Sequence, residues 1–316
     1  MIRRLAALLL CVLVVIAPLA SCADAGDDGT FSVIATNFPC YDFARRLADG
    51  SGADVTMLLS PGGESHSFDP TPQDVIRISK ADVFVYVGGE SDTWADDVLD
   101  AAENEDLAAF RLTEHCPLLG EETVEGMETE ASDEGDGPDK SEYDEHVWTS
   151  PVNVISICAD LCAVLCEKCP DSADVFRANL EAYTDELRQL DSDIRTTVAA
   201  GKRRTLVFGD RFPLLYFAKE YGLDYAAAFP GCSASVEASA GTVAYLIDRV
   251  RDESIPAVLH IELSSTDIAE TIAEACGVPS LEFCACHNVS AADFEAGATY
   301  LGIMRKNLAV LKTALG

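Results

Sequence analysis

The chain has 316 residues, 48% of them hydrophobic, enough for one large or two medium domains with real cores. Its 54 acidic side chains against 22 basic ones give a net charge of −32, a surface that repels nucleic acid and anionic lipid headgroups and draws cations. The charge argues against a nucleic-acid binder and permits a cation binder without showing one.

The first segment, MIRRLAALLLCVLVVIAPLASC, opens with Arg3 and Arg4, runs through a short apolar stretch and ends on small residues. That order predicts a secretory signal over residues 1–21, too short for a permanent membrane helix. The ending LASC resembles a bacterial lipobox. The resemblance implies cleavage before Cys22, lipid on its thiol and an extracytoplasmic protein anchored to the cell membrane by a lipidated tether over 22–30. No later stretch is long and apolar enough to span a bilayer.

Strands and helices then alternate. FSVIAT (31–36) reads as a strand, 41–48 as a helix, VTMLLS (55–60) as a strand, and 72–80 as a short helix with Pro72 near its start. DVFVYVGG (82–89) is a continuous apolar run of the kind buried parallel strands show. A helix follows over 92–104 and a strand over 108–112. Residues 121–145 break the pattern with 12 acids and one lysine. With almost no bulky apolar side chains, this stretch cannot fold alone and reads as a mobile acidic loop, either a solvated insertion or a low-affinity cation collector.

A helix over 151–169 precedes a long one from Ser172 to about Ala199, where Val175, Leu180, Tyr183, Leu187, Leu190 and Ile194 recur on one face. Gly201 ends it. Alternation restarts with TLVFG (205–209), a helix over 212–221, YAAAF (225–229), a helix over 235–252, AVLHIEL (257–263), a helix over 266–276, SLEFCA (280–285) and a last helix over 291–315. The pattern predicts an α/β fold of two lobes, each a parallel sheet flanked by helices. The expected organisation is an N-terminal lobe over 31–170, a rigid linker helix over 171–200 and a C-terminal lobe over 203–316.

Of 12 cysteines, Cys11 would leave with the signal and Cys22 would carry the lipid that the lipobox resemblance implies. Cys166 and Cys169 form a CxxC that no second CxxC answers. Cys158, Cys162 and Cys166 share one helical face and read as core filling, because free cysteine packs as a small hydrophobe.

Four polar groups fall just past strand ends, where open α/β sheets bind ligands. His66 lies in GGESHSFDPTP after the strand 55–60, and His146 in DEHVW before a helix. Asp210 follows TLVFG, and His287 follows SLEFCA. Imidazole and carboxylate are the donors expected for zinc or manganese, but there is no HExxH, and the spacing alone is a weak signal. His260, inside AVLHIEL, reads as a satisfied core histidine. Glu262 shares its face, stands nearer the strand end and is placed to support a site. His115 has no nameable partner.

The words around these residues carry more. GGESHSFDPTPQD resembles the loop G-x-x-x-H-x-[FY]-x-P-[ST] of the substrate-binding lipoproteins of zinc and manganese ABC importers. DEHVWTSP resembles the same family's D-P-H-x-W-x-x-P, while ADVFVYVGGESDTW, YFAKEYGL and TYLGIMRKNLAVLKTAL resemble its other stretches. The likeness covers about residues 31–316. It implies two α/β lobes joined by a rigid helix, with the metal in the cleft.

Carried over position by position, it implies His66 and His146 as ligands and His287 at the last ligand position. Where the family has its third ligand, His or Glu, the text FGDRFPLLYF has Gly209. Asp210, the nearest carboxylate, takes that role or else caps a helix or pairs with Arg211. Cys284 is an alternative ligand. A disulfide between Cys232 and Cys286 would pin the His287 loop.

GDRFP, AAFPGCS and CHN look like a zinc branch of the family. Three imidazoles with thiols nearby favour Zn2+, with Mn2+ as the second choice. The implied function is capture of the ion by a monomer and delivery to an ABC permease and its ATPase. A surface adhesin with incidental metal, or a zinc-dependent hydrolase, is the alternative. Four protein donors would argue against the hydrolase.

Overall fold

Each alternating run builds one four-stranded parallel sheet. The computed structural model describes residues 29–128, 143–233 and 237–316. Contacts divide the chain into two units, Met1–Thr30 and Phe31–Gly316. The expected signal, Cys22 and most of the tether lie outside the described residues, as does 129–142 of the acidic stretch.

The first run gives β1 (Ser32–Ala35), α1 (Phe38–Ala48), β2 (Asp54–Met57), α2 (Pro72–Lys80), β3 (Val83–Tyr86), α3 (Trp94–Ala101) and β4 (Ala108–Arg111). α4 (Pro151–Lys168) and α5 (Ala173–Ala200) follow. The second run gives β5 (Thr205–Phe212), α6 (Leu215–Tyr221), β6 (Asp224–Pro230), α7 (Ala240–Asp252), β7 (Val258–His260), α8 (Asp267–Cys276) and β8 (Ser280–Glu282). α9 (Ala291–Glu295) and α10 (Tyr300–Leu315) close the chain. The sheets have the same layout, β2-β1-β3-β4 and β6-β5-β7-β8, all parallel. In each, the strand order reverses beside the first strand, which leaves a crevice at the carboxyl ends.

Strand alternation sorts side chains between layers. Val33, Ala35, Val83 and Val85 enter a central core, while Ile34, Phe84 and Tyr86 pack under the outer helices of the first sheet. Leu206, Phe208 and Leu259 join that same central core, and Val207, Ala226, Ala228 and Val258 pack outward in a separate cluster. The two lobes therefore share one core. α5, roughly 42 Å long, contributes Tyr183, Leu187, Leu190 and Ile194 to it. Each such side chain, fully buried, stabilises the fold by about 1.5–3 kcal/mol. Glu186 on α5 also pairs with Arg46 at 2.9 Å and Arg305 at 3.1 Å, tying α1 to α10.

Three sequence expectations change. β5 runs on to Phe212 because residues 211–212 resume pairing with β6 after a register shift, so Asp210 lies inside the strand. The last helix is two, α9 and α10, separated by Gly297 at φ 77° and restarted by the Thr299 cap. The acidic stretch is anchored at its start. The Glu128 amide donates to Ala228 O at 2.9 Å, Lys219 pairs with Glu122 at 2.7 Å, and Glu121 accepts from the Cys232 amide at 3.1 Å.

Asn307 of α10 is buried, accepts from the Cys284 amide at 3.0 Å and donates to the Cys284 carbonyl at 2.7 Å. Asn307→Ala leaves both backbone groups unpaired, which should lower the unfolding free energy by about 2–4 kcal/mol. Urea denaturation followed by circular dichroism measures this. A loss below about 1 kcal/mol would show that the amide does not hold this strand end.

Candidate metal centre

Three histidines from three separate loops meet at the carboxyl ends of the sheets. His66 sits on the turn after β2, which Gly62 bends at φ 82°. That turn is held from the second lobe, where Asn288 Nδ2 donates to Ser60 O at 2.8 Å and Gly63 O at 2.9 Å. His146 precedes α4, whose first turn is set by the Ser150 cap and Pro151. His287 follows β8, beside Cys286 at φ 65°. Trp148 Nε1 donates to Ala285 O at 2.8 Å, and Tyr300 Oη donates to Trp148 O at 2.8 Å, locking the His146 and His287 segments together.

The ring centroids lie 4.8 Å apart for His146–His287, 5.5 Å for His66–His287 and 5.7 Å for His66–His146. One nitrogen from each lies within 4.8 Å of the others. All three Nε2 atoms are buried and have no hydrogen-bond partner among the described residues. Each Nδ1 faces a carboxylate oxygen: His146 to Asp144 at 2.9 Å, His287 to Glu262 at 3.2 Å and His66 to Glu145 at 3.7 Å. For His146 and His287 a carboxylate within hydrogen-bond reach of Nδ1 keeps the proton there and leaves the Nε2 lone pair free, the arrangement of a metal-ligating histidine; Glu145 stands farther from His66. A buried polar atom without a partner is costly, so three aimed at one point call for a common occupant.

The carboxylates are themselves fixed. Glu262 accepts from the Ala285 amide at 2.6 Å and the His287 amide at 2.8 Å. Burial raises the Glu262 value, but the His287 bond and charge outweigh it and the carboxyl is held below its ordinary range. Glu145 accepts from the Ser91 amide at 3.1 Å and hydroxyl at 2.6 Å. It reaches them only because Gly89 has no side chain; a Cβ there would lie 2.0 Å from Glu145 Oε2. Asp144 is placed by its own carbonyl, which accepts from Tyr216 Oη at 2.7 Å. Burial lowers the His146 value, but Asp144, then Glu145 and Glu121, raise it above its usual level.

Asp210 is not brought to the histidines. Its carboxylate accepts from the Arg211 amide at 2.8 Å, the Ile261 amide at 3.1 Å and Ser264 Oγ at 3.0 Å, serving the turn after β7. Burial pushes its carboxyl up against the pull of those donors. Gly209 offers no alternative, since a Cβ there would meet Ala269 Cα at 2.4 Å.

The expected disulfide is not formed either: Cys232 and Cys286 are both free. Cys286 is buried in the central core, whereas Cys232 lies beside Glu145 and His146. Cys284 packs in the core and accepts from the Cys286 amide at 3.4 Å. His260 meets Ser280 Oγ at 3.0 Å, as a satisfied histidine would, and His115 pairs with Asp160 at 2.9 Å. Asp144 and Glu145 escaped the sequence reading. The signal for Asp144 was its place two residues before His146, where the backbone can fold its carboxylate onto Nδ1.

The chain matches the family model described as zinc-uptake complex component A, periplasmic, over residues 33–314. It is 30% identical over 286 residues to the zinc-binding lipoprotein AdcA of Streptococcus pneumoniae, covering 90% of this chain and 56% of that protein. It thus spans about half the length of the AdcA proteins it matches. It is also 28% identical over 290 residues to the high-affinity zinc uptake system protein ZnuA of Bacillus subtilis, covering 90% of this chain and 87% of that one. The Zn(II)-bound ZnuA-like domain of Streptococcus pneumoniae AdcA superposes with a TM-score of 0.75 at 28% identity, over 91% of this chain and 99% of that domain.

Burial, then His287, His146 and Arg211, lower His66 from the usual 6.5 to about 2. The unfolded chain takes up that proton below 6.5 while the folded chain does not, so His66 costs stability as pH falls through this window. Imidazole 1H–15N spectra should keep His66 in its neutral form from about pH 8 to about pH 4. A midpoint near its ordinary value would contradict the burial of this ring.

Proposed function

This chain belongs to the zinc-uptake complex component A family of periplasmic proteins, and on that premise we propose that it captures Zn2+ and delivers it to the permease of an ABC importer. The ion is cargo, held by the Nε2 atoms of His66, His146 and His287. The observation that carries this reading is the convergence of three buried, unpartnered Nε2 atoms, each ring backed by a carboxylate on Nδ1. Three neutral imidazoles form a nitrogen-rich set that suits Zn2+ better than Mn2+, which prefers more oxygen. Export and a lipid on Cys22 would keep the protein beside its membrane partner. No helix among the described residues is long and apolar enough to cross a membrane.

Delivery rather than catalysis fits the space at the site. Three histidines alone could serve a hydrolytic zinc, which also needs an open water position and a general base. Here the cavity against His66 and His287 holds about 20 Å3, room for about one water. The adjacent Glu262 is committed to His287 and to backbone amides.

Metal analysis and competition titration of the mature protein should find one Zn2+ per chain, held more tightly than Mn2+. His66→Ala, His146→Ala and His287→Ala should each weaken binding beyond the roughly 10–100-fold that loss of an outer carboxylate costs. Asp210→Asn should leave affinity within about threefold, because its carboxylate serves the β7 turn. Unchanged zinc affinity in all three histidine variants would overturn the site.

A further inference from the structure

A second group of donors lies beside the histidine cluster: Glu145, His146 and Cys232 each offer one ligand atom within 4.8 Å of the other two. Carboxylate, imidazole and thiolate together make a competent site for a borderline-soft divalent cation. The second group includes His146, which is fully buried and whose Nε2 has no partner. Since Asp144 occupies Nδ1 at 2.9 Å, Nε2 is the only His146 nitrogen available to an ion in either group. The two groups cannot be filled at once.

The surroundings give the two groups different access. The cavity against His66 and His287 holds about 20 Å3, and Arg211 lines it, with a pairing to Glu64 at 3.5 Å. That space takes about one water, and its charged lining is the Arg211 guanidinium with the Glu64 and Glu262 carboxylates. Cys232 and Glu145 instead line a cavity of about 260 Å3 that Glu90 and Glu121 also line. That cavity has room for a hydrated ion and the charge to concentrate one.

We infer that Glu145, His146 and Cys232 form a capture position, from which a divalent cation arriving through the acidic cavity passes to the three histidines by exchange at His146 Nε2. On capture the Cys232 thiol loses its proton to solvent as the metal–sulfur bond forms, and on transfer that bond breaks and the thiol is reprotonated. Nothing is oxidised. The inference rests on the three-histidine reading for its destination, but its own donors include Glu145 and Cys232, which that reading does not use as ligands.

Cobalt(II) under reducing conditions tests it, because thiolate ligation gives a sulfur-to-cobalt charge-transfer band that imidazole ligation lacks. In His66→Ala/His287→Ala, which dismantles the three-histidine set, one Co2+ per chain should remain bound with that band, and adding Cys232→Ser should remove both. In the unsubstituted protein, rapid mixing should show the band early and then its decay. Cys232→Ser alone should slow Co2+ loading at least tenfold and leave the equilibrium affinity within about threefold. Absence of the band from the double variant, or loading unaffected by Cys232→Ser, would overturn the capture position. A band that persists at one Co2+ per unsubstituted chain would overturn it too, by making Cys232 a ligand of the final site. Failure of the three-histidine reading looks different: His66→Ala would then leave zinc affinity unchanged.

Discussion

The pairing of three imidazoles with three carboxylates is the constraint on which the centre depends. Asp144, Glu145 and Glu262 each face one Nδ1, so the three Nε2 atoms point without partners into one buried space. Orphaning three polar atoms costs the fold stability, since buried donors and acceptors are normally satisfied. The rings are nevertheless held in place, because Ser91 anchors the Glu145 carboxylate, the Ala285 and His287 amides anchor that of Glu262, and Tyr216 holds the Asp144 backbone carbonyl. Rings held this way are ready for an ion before it arrives.

The same loops join the lobes. Asn288 of the second lobe grips the His66 turn, Trp148 grips Ala285, and the Tyr300 amide donates to Asp42 of α1 at 2.9 Å. Side chains from both sheets and from α5 fill one core. Opening a cleft by hinge rotation would tear that core and these bonds together.

The end of β5 shows how backbone geometry withholds a carboxylate that the sequence had marked. β5 shifts register between Phe208 and Arg211, Gly209 abuts Ala269, and Asp210 turns to amides of its own lobe. Arg211 lines the small cavity beside His66. The two cavities beside the histidines differ in size and lining, about 20 Å3 with Arg211, Glu64 and Glu262 against about 260 Å3 with Glu90, Glu121, Glu145 and Cys232.

The sequence by itself determined the layers and their order, because short continuous apolar runs bounded by turn residues and period-3.6 helices are local patterns. Even Val33 and Ile34 reveal opposite faces without a structure. It also marked His66, His146 and His287, since histidines just past strand ends lie where such sheets bind, and the surrounding words resembled a known family. Tertiary structure alone decided which of the marked residues meet. Asp210 looked as good as His287 on paper, but its carboxylate is consumed by Ile261 and Ser264, more than fifty residues away in sequence. Cys232 and Cys286 looked like a pair, yet one faces Glu145 and the other the core. Hydrogen-bond partners across such separations are set by packing, and no local spacing encodes them.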